Sequence, residues 1–380
     1  MSAILTFNAG SSSLKFSLYR FADDPELLIS GQVENLGPVA RLVLGDGAPR
    51  EIGPADHGVA VQTILSALDD DLSDLQVLGV GHRIVHGGKA FDAPVELTDD
   101  VLAQLETLVP LAPLHQPHNL LAVSAARAAF PLARQIGCFD TAFHRGHPFV
   151  NDAFALPRRF YDQGVRRYGF HGLSYDYISS VLRRDWPDLA RGRVVICHLG
   201  NGASMCAVAD GQSVGSTMGF SALDGLPMGT RCGQLDPGVL LYLMAQGMTH
   251  AQIEHMLYSE SGLLGLSGIS HDMRRLLQSD DPRAADAIEY YVFRIRRELG
   301  AMAAVLGGLD GVVLTGGIGE NAARIRASVI EGLDFLGLRL DAAANAAGHV
   351  DIGTGPARIL VIRTDEERVI ARAVAAALAD

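Results

Sequence analysis

The sequence predicts an α/β protein in which one Gly-rich hairpin is built twice, and three observations carry this. Apolar runs alternate between strand-like and helix-like periods along the 380 residues. Asn8-Ala9-Gly10-Ser11-Ser12-Ser13-Leu14-Lys15 and His198-Leu199-Gly200-Asn201-Gly202-Ala203-Ser204 each sit between short apolar runs suited to buried strands. Hydrophobic residues make up 48% and charged residues 19%, enough to bury a core in each of about two to three domains.

The two hairpins come first because their chemistry is the most specific. Glycine lets a ligand approach backbone N–H groups closely, serine hydroxyls add donors, and Lys15 supplies a point charge, so a polyphosphate could lie between two such turns. The same composition also makes ordinary turns, and it is the pairing that favours anion binding. A third segment, Thr315-Gly316-Gly317-Ile318-Gly319-Glu320-Asn321, follows an apolar run and reads as strand, turn and helix N-terminus. Gly317 to Ala322 also fits the dinucleotide pattern G-x-G-x-x-A with Asp341 downstream, but a nicotinamide or flavin site leaves both hairpins unexplained.

Several helices are readable from their caps. Thr98 with Asp99 and Asp100 opens one helix, Pro117 suits the first turn of a second reaching Phe130, Asp236-Pro237 starts a third, and Thr249 with Gln252 forms a capping box for a fourth. Thr364-Asp365-Glu366-Glu367 reads as a last helix start, with Glu367 completing its own capping box.

A net charge of −12 without a Lys/Arg run excludes broad nucleic-acid or anionic-membrane binding, so an anionic substrate has to be captured locally. The N-terminus lacks a signal-peptide pattern, and the most apolar region, 299–314, is broken by glycines and Asp310; a soluble, cytoplasmic protein is expected. Cys138, Cys197, Cys206 and Cys232 show no zinc or redox spacing.

Polar residues at expected strand ends and in loops are the site candidates. Arg83 in Gly81-His82-Arg83-Ile84-Val85-His86-Gly87-Gly88 is either half of a surface ion pair or an anion ligand. Asp140, at the end of the run 136–139, is a helix cap or a catalytic or Mg2+-contacting carboxylate. His115 and His118 flank Pro117 and suit hydrogen bonding better than a metal pair. His171 and Arg231 lie in Gly-flanked loops where packing gives no reason for a polar side chain.

Together with Phe139-Asp140-Thr141-Ala142-Phe143-His144 and Tyr168-Gly169-Phe170-His171-Gly172, these motifs resemble the acetate kinase family in order and spacing, across essentially the whole chain. The resemblance implies two duplicated actin/Hsp70-like (ribonuclease H-like) domains with a nucleotide cleft between them. The first would hold residues 1–143 and 367–380, the second 144–366 and the contacts of a homodimer. It implies reversible, Mg2+-dependent phosphoryl transfer between ATP and acetate, giving acetyl phosphate and ADP, with Mn2+ able to substitute. The alternatives are another short-chain carboxylate kinase of the family or a non-catalytic ATP-binding module on the same fold.

By the same resemblance, Asn8 and Glu366 would hold the metal. Lys15, His198, Leu199, Gly200, Asn201 and Gly202 would meet the ATP phosphates, and Asp272, Met273, Arg274 and Gly317, Ile318, Gly319, Glu320 and Asn321 the adenosine. Arg83 would take the acetate carboxylate, with Val85, Leu114, Phe170 and Ala222 around the methyl group, while His171 and Arg231 stabilise the transferring phosphoryl group. A carboxylate acceptor has no proton to lose, so Asp140 is expected to orient a metal-bound water or His171 rather than act as a base. Ala222 stands where the family has proline, which implies a larger acyl pocket and good use of propionate.

Overall fold

The structure is a computed structural model that describes residues 2–10, 12–68, 72, 75–113 and 115–379. Leu114, expected beside the acyl methyl, and Ser11 of the first hairpin lie outside the described residues. The chain divides into two compact units, Met1–Arg145 with Asp365–Asp380, and Gly146–Thr364.

The first unit is built on strands β1 (Ser2–Ala9), β2 (Ser13–Arg20), β3 (Glu26–Glu34), β4 (Gly37–Leu44), β5 (Arg50–Ala55), β6 (Gln76–Ile84), β7 (Val95–Glu96) and β8 (Arg134–Phe139). They form one sheet in the order β5-β4-β3-β2-β1-β6-β8-β7. The second unit is built on β9 (Arg193–Leu199), β10 (Ala203–Ala209), β11 (Gln212–Ser216), β12 (Gly311–Thr315) and β13 (Arg358–Val361), in the order β11-β10-β9-β12-β13.

The duplication is visible in strand order and sense. In β3-β2-β1-β6-β8 and in β11-β10-β9-β12-β13 alike, the first two pairings are antiparallel and the last two parallel. Each Gly-rich hairpin joins the central strand to its antiparallel neighbour: Asn8 faces Lys15 in the first, and His198 faces Ser204 in the second.

Pleating divides the first unit's core. Val80 of β6 joins Leu5, Phe7, Val61, Ile64, Ala122 and Ala126 on the face covered by helices His57–Ala67 and Gln116–Ala129. Gly79 and Gly81 point to the other face, where a Cβ would collide with Val374 and Ile370 of the C-terminal helix Glu366–Ala379. Their bareness lets that helix lie close on the sheet, with Ile370, Ala371, Val374 and Ala375 buried, and this seats its first turn beside the end of β1.

Two local expectations change. Gly316–Asn321 is itself a short helix rather than a turn, because Gly316 takes a positive φ of 75° directly after β12 and the Glu320 carboxylate accepts from Gly316 N at 2.9 Å, from Thr364 N at 3.2 Å and from the Thr315 hydroxyl at 3.2 Å. At the last helix, Asp365 rather than Thr364 is the cap, its Oδ1 accepting from Arg368 N at 3.0 Å. Glu367 is left free for another partner. The Thr98, Asp236 and Thr249 caps form as the sequence predicts. No helix among the described residues is long and apolar enough to cross a membrane.

Candidate active site

In the first unit the strand directions assemble the site. Because β1, β6 and β8 run parallel, their carboxyl ends reach one edge of the sheet, and the side chains delivered there are Asn8, Arg83 and, one residue past β8, Asp140. Arg83 Nε lies 3.1 and 3.0 Å from the two Asp140 oxygens, Nη2 lies 2.6 Å from Oδ2, and Nη1 donates to Asn8 Oδ1 at 3.1 Å. Asn8 Nδ2 in turn donates to Glu366 at 3.2 Å and to Glu367 at 3.1 Å. The Arg83 and Asp140 side chains are 16% and 2% exposed, so the arginine is no surface ion pair and the aspartate no helix cap.

The electrostatics follow from one buried cation among three acids. Desolvation opposes the Arg83 charge, but Asp140, Glu366 and Glu367 outweigh it and raise its pKa. Burial raises the Asp140 carboxyl, Arg83 pulls it back, and the Glu366 charge raises it again. Burial also raises Glu367, against the pull of Lys15, which lies exposed opposite Asn8. Excess acid with oxygen donors suits a hard divalent cation. Among the described residues no group of three or more His, Cys, Asp or Glu could hold a metal by itself, yet Mg2+ needs only one or two carboxylates when substrate phosphates and water complete its shell.

The first turn of helix Gln116–Ala129 supports this edge. Asn119 Oδ1 accepts from Val85 N at 2.9 Å while its Nδ2 donates to Ala9 O at 2.8 Å, tying the turn after β6 to the first hairpin. Gln116 accepts from His86 N at 3.2 Å and donates to His86 O at 3.1 Å. His118 stacks on His57 with ring centroids 4.5 Å apart, and His57 Nε2 donates to Gly10 O at 2.7 Å, so His118 serves the hairpin rather than a metal. Sequence reasoning missed Asn119, His57 and the site role of Glu367, since their partners lie 110, 47 and 359 residues away.

The second unit gathers the remaining candidates. His171 heads helix Gly172–Asp185 with φ 58°, and its ring stacks on His198 with centroids 4.4 Å apart. A Cβ on Gly202 would lie 3.3 Å from His171 Nε2, a tight contact, and 3.8 Å from Arg231 Nη1, so the second hairpin lies directly against both side chains. Arg231 Nη1 also donates to Ala222 O at 3.3 Å, which brings the expected acyl-pocket residue to the same group. Phe170 is buried beside His171 in sequence.

Next to the hairpin lies a cavity of about 450 Å³, the size of a small-molecule site, lined by Gly200, Asn201, His271, Met273, Arg274, Gly317 and Ile318 among others. Asp272 also lines it while capping Met273–Leu277 and pairing with Arg274 Nη2 at 2.7 Å. Gly319 and Glu320 lie off the lining: Gly319 is buried against Leu199, and Glu320 holds the turn below. Burial raises the Cys232 thiol, which disfavours its reactive thiolate form.

The chain matches the Acetokinase family over residues 3–372. It belongs to that family. It is 54% identical to the acetate kinase of Methylocella silvestris, with 97% of this chain and 96% of that protein covered. Among solved structures it is similar to Porphyromonas gingivalis acetate kinase, with a TM-score of 0.89 and 38% identity over the full length of both chains. A propionate kinase from Francisella tularensis has a TM-score of 0.92 and 34% identity, covering 98% of this chain and 99% of that one. The duplicated actin/Hsp70-like fold expected for the acetokinase family is the one found.

Proposed function

We propose that this chain is an ATP:acetate phosphotransferase, moving the γ-phosphoryl group reversibly between ATP and acetate by direct in-line displacement. Family membership over nearly the whole chain supports the reaction class, and the observation that carries the acceptor assignment is Arg83. Its guanidinium has five N–H donors; Asp140 and Asn8 fix the orientation and leave donors for a second carboxylate.

Acetate is ionised at neutral pH, so one of its oxygens attacks the γ-phosphorus without losing a proton. The new O–P bond forms as the bond to the β-phosphate oxygen breaks, and ADP leaves with that electron pair. Asp140 holds Arg83, Arg83 holds the acetate, and the second hairpin, whose Gly200 N donates within the turn to Gly202 O at 3.0 Å, offers the N–H groups of Asn201 and Gly202 to the phosphates. The cavity bounded by Asp272, Met273, Arg274, Gly317 and Ile318 takes the adenosine, while His171 and Arg231 donate to the equatorial oxygens as charge builds on them. Asn8 and Glu366 would hold Mg2+, which would supply charge neutralisation for the phosphates, and Mn2+ would suit the same oxygen donors.

The working form is a cytoplasmic homodimer. Helix Pro237–Ala245 buries none of its residues and leaves Leu241 70%, Tyr242 62% and Met244 57% exposed, an apolar face that a second copy would cover.

A hydroxamate assay with ATP and acetate, repeated with propionate and butyrate, tests the reading. Acetyl hydroxamate is the expected product. ATP hydrolysis without any acyl hydroxamate would replace the kinase with an ATP-binding module. A propionate-preferring kinase is the second reading, favoured by the similarity to the Francisella propionate kinase and by Ala222.

A further inference from the structure

Behind His171 lies a buried hydroxyl chain that the reaction as described does not use. Ser204, the fully buried second residue of β10, has its Oγ 2.7 Å from His171 Nδ1 and also in hydrogen-bond contact with the Tyr175 hydroxyl. Tyr175 sits one helical turn after His171 on helix Gly172–Asp185 and is itself fully buried. Two hydroxyls, one from each element, therefore line up behind Nδ1, while Nε2 is the ring atom nearest Gly202.

We infer that Tyr175 and Ser204 are positioning residues that hold neutral His171 in the Nε2–H tautomer, so that its proton points over Gly202 at the phosphoryl group. A phenol is a stronger donor and weaker acceptor than an alkyl hydroxyl, so Tyr175 O–H donates to Ser204 Oγ, and in the proposed arrangement Ser204 spends its own O–H on His171 Nδ1. Burial raises Tyr175 well above the ordinary phenol value, and it stays a donor at any working pH. With Nδ1 accepting, the single ring proton of the neutral imidazole resides on Nε2, the atom 3.3 Å from where a Gly202 Cβ would stand. The opposite tautomer would present a lone pair to phosphate oxygens and repel them.

This deepens the kinase reading and rests on it for the phosphoryl target, but the tautomer itself can be read in the free protein. Long-range 1H–15N correlation spectra of the full chain, with His171 assigned through His171→Asn, distinguish the two tautomers. Nε2–H is expected for His171 in the unmodified protein, and a mixture in Tyr175→Phe and in Ser204→Ala. Both variants should lose about ten- to a hundredfold in kcat, the usual cost of freeing an active-site imidazole from its outer partner, with the KM for acetate unchanged. Ser204→Thr, which restores the hydroxyl, should recover most of the loss. An Nδ1–H tautomer in the unmodified protein overturns the inference, as does a Tyr175→Phe protein with unaltered tautomer and kcat. Absence of acetate phosphorylation in the unmodified protein would instead sink the kinase reading and leave the tautomer measurement standing.

Discussion

Asp140 grips Arg83 side-on, its two oxygens within 3.1 and 3.0 Å of Nε and one of them 2.6 Å from Nη2. An aspartate spent on a buried guanidinium is poorly placed to accept a proton, and an acetate acceptor offers none. Its work in this geometry is to aim Arg83. Asp140→Asn keeps the shape but removes the charge, and kcat should fall by about a hundredfold or more with a weakened Mg2+ response. If the Mg2+ response survived while one limb of the pH–rate profile vanished, Asp140 would be a base after all.

Arg83 should show its substrate in the KM values. Arg83→Ala removes the charged donors to acetate, worth about 1.5–3 kcal/mol, so the acetate KM should rise roughly ten- to a hundredfold while the ATP KM changes little. Arg83→Lys should recover only part of the loss, because an ammonium cannot present a planar fork to two carboxylates. Equal rises in both KM values would remove Arg83 from the acetate site.

Much of this arrangement was legible in the sequence, for a local reason. Each hairpin needs its glycines, serines and flanking apolar runs within about a dozen consecutive residues, so both loops and their likeness could be read directly. His171 and Arg231 stood out because Gly-flanked loops gave no packing reason for them, and Arg83 and Asp140 because each follows an apolar run at an expected strand end. What stayed hidden depends on distant partners. Asn119 is one amide in a helix until Ala9 O and Val85 N are placed beside it, and Ser204 is one more hairpin serine until His171 Nδ1 lies 2.7 Å away. The Gly316–Asn321 segment misled because three glycines in six residues argue for a turn, whereas the Glu320 carboxylate satisfies the backbone and closes a helix.

Two buried histidines of the first unit should make its stability pH-dependent. His82, whose Nε2 donates to Gln135 Oε1 at 2.8 Å, and His86, whose Nδ1 accepts from Gly88 N at 2.9 Å, are both lowered to about 4, by burial foremost and, for His86, also by Arg145. The unfolded chain binds these protons near 6.5 and the folded one refuses them. Their contribution is therefore complete above about pH 6.5 and is lost as pH falls toward 4, on the order of 3 kcal/mol for each. The raised Asp140 and Glu367 carboxyls act in the opposite sense. His82→Asn should therefore lose less stability than the unmodified protein between pH 7 and pH 5, by about 2 kcal/mol, measured from hydrogen exchange in β6. Equal losses would show that His82 is protonated in the folded state.

Gly202 should be sensitive to an added methyl. An alanine methyl would press on His171 Nε2 and fill space beside Arg231 that is assigned to the phosphoryl group, so Gly202→Ala should lower kcat by about tenfold. Gly300→Ala is the contrasting case, since nothing lies within 4 Å of its Cβ position in the middle of helix Pro282–Leu306. It should leave kcat unchanged and stabilise the fold by about 0.5–1 kcal/mol. Normal turnover in Gly202→Ala would mean that phosphoryl transfer takes place elsewhere.

Ala222 sets the expected breadth of the acceptor. It is half-buried, with its carbonyl oxygen 3.3 Å from Arg231 Nη1, which puts this small residue next to the arginine proposed to meet the phosphoryl group. Relative to a proline ring, the missing atoms leave room for about one or two methylenes, each worth roughly 0.8 kcal/mol when buried. Propionate should therefore reach a kcat/KM within about a hundredfold of acetate, the range a hydrophobic pocket can discriminate over one methylene. Ala222→Pro should depress propionate turnover more than acetate turnover, because the proline carbonyl can still accept from Arg231 while the ring refills the space. A propionate kcat/KM below a hundredth of the acetate value, unchanged in Ala222→Pro, would show that residue 222 does not bound the acyl group.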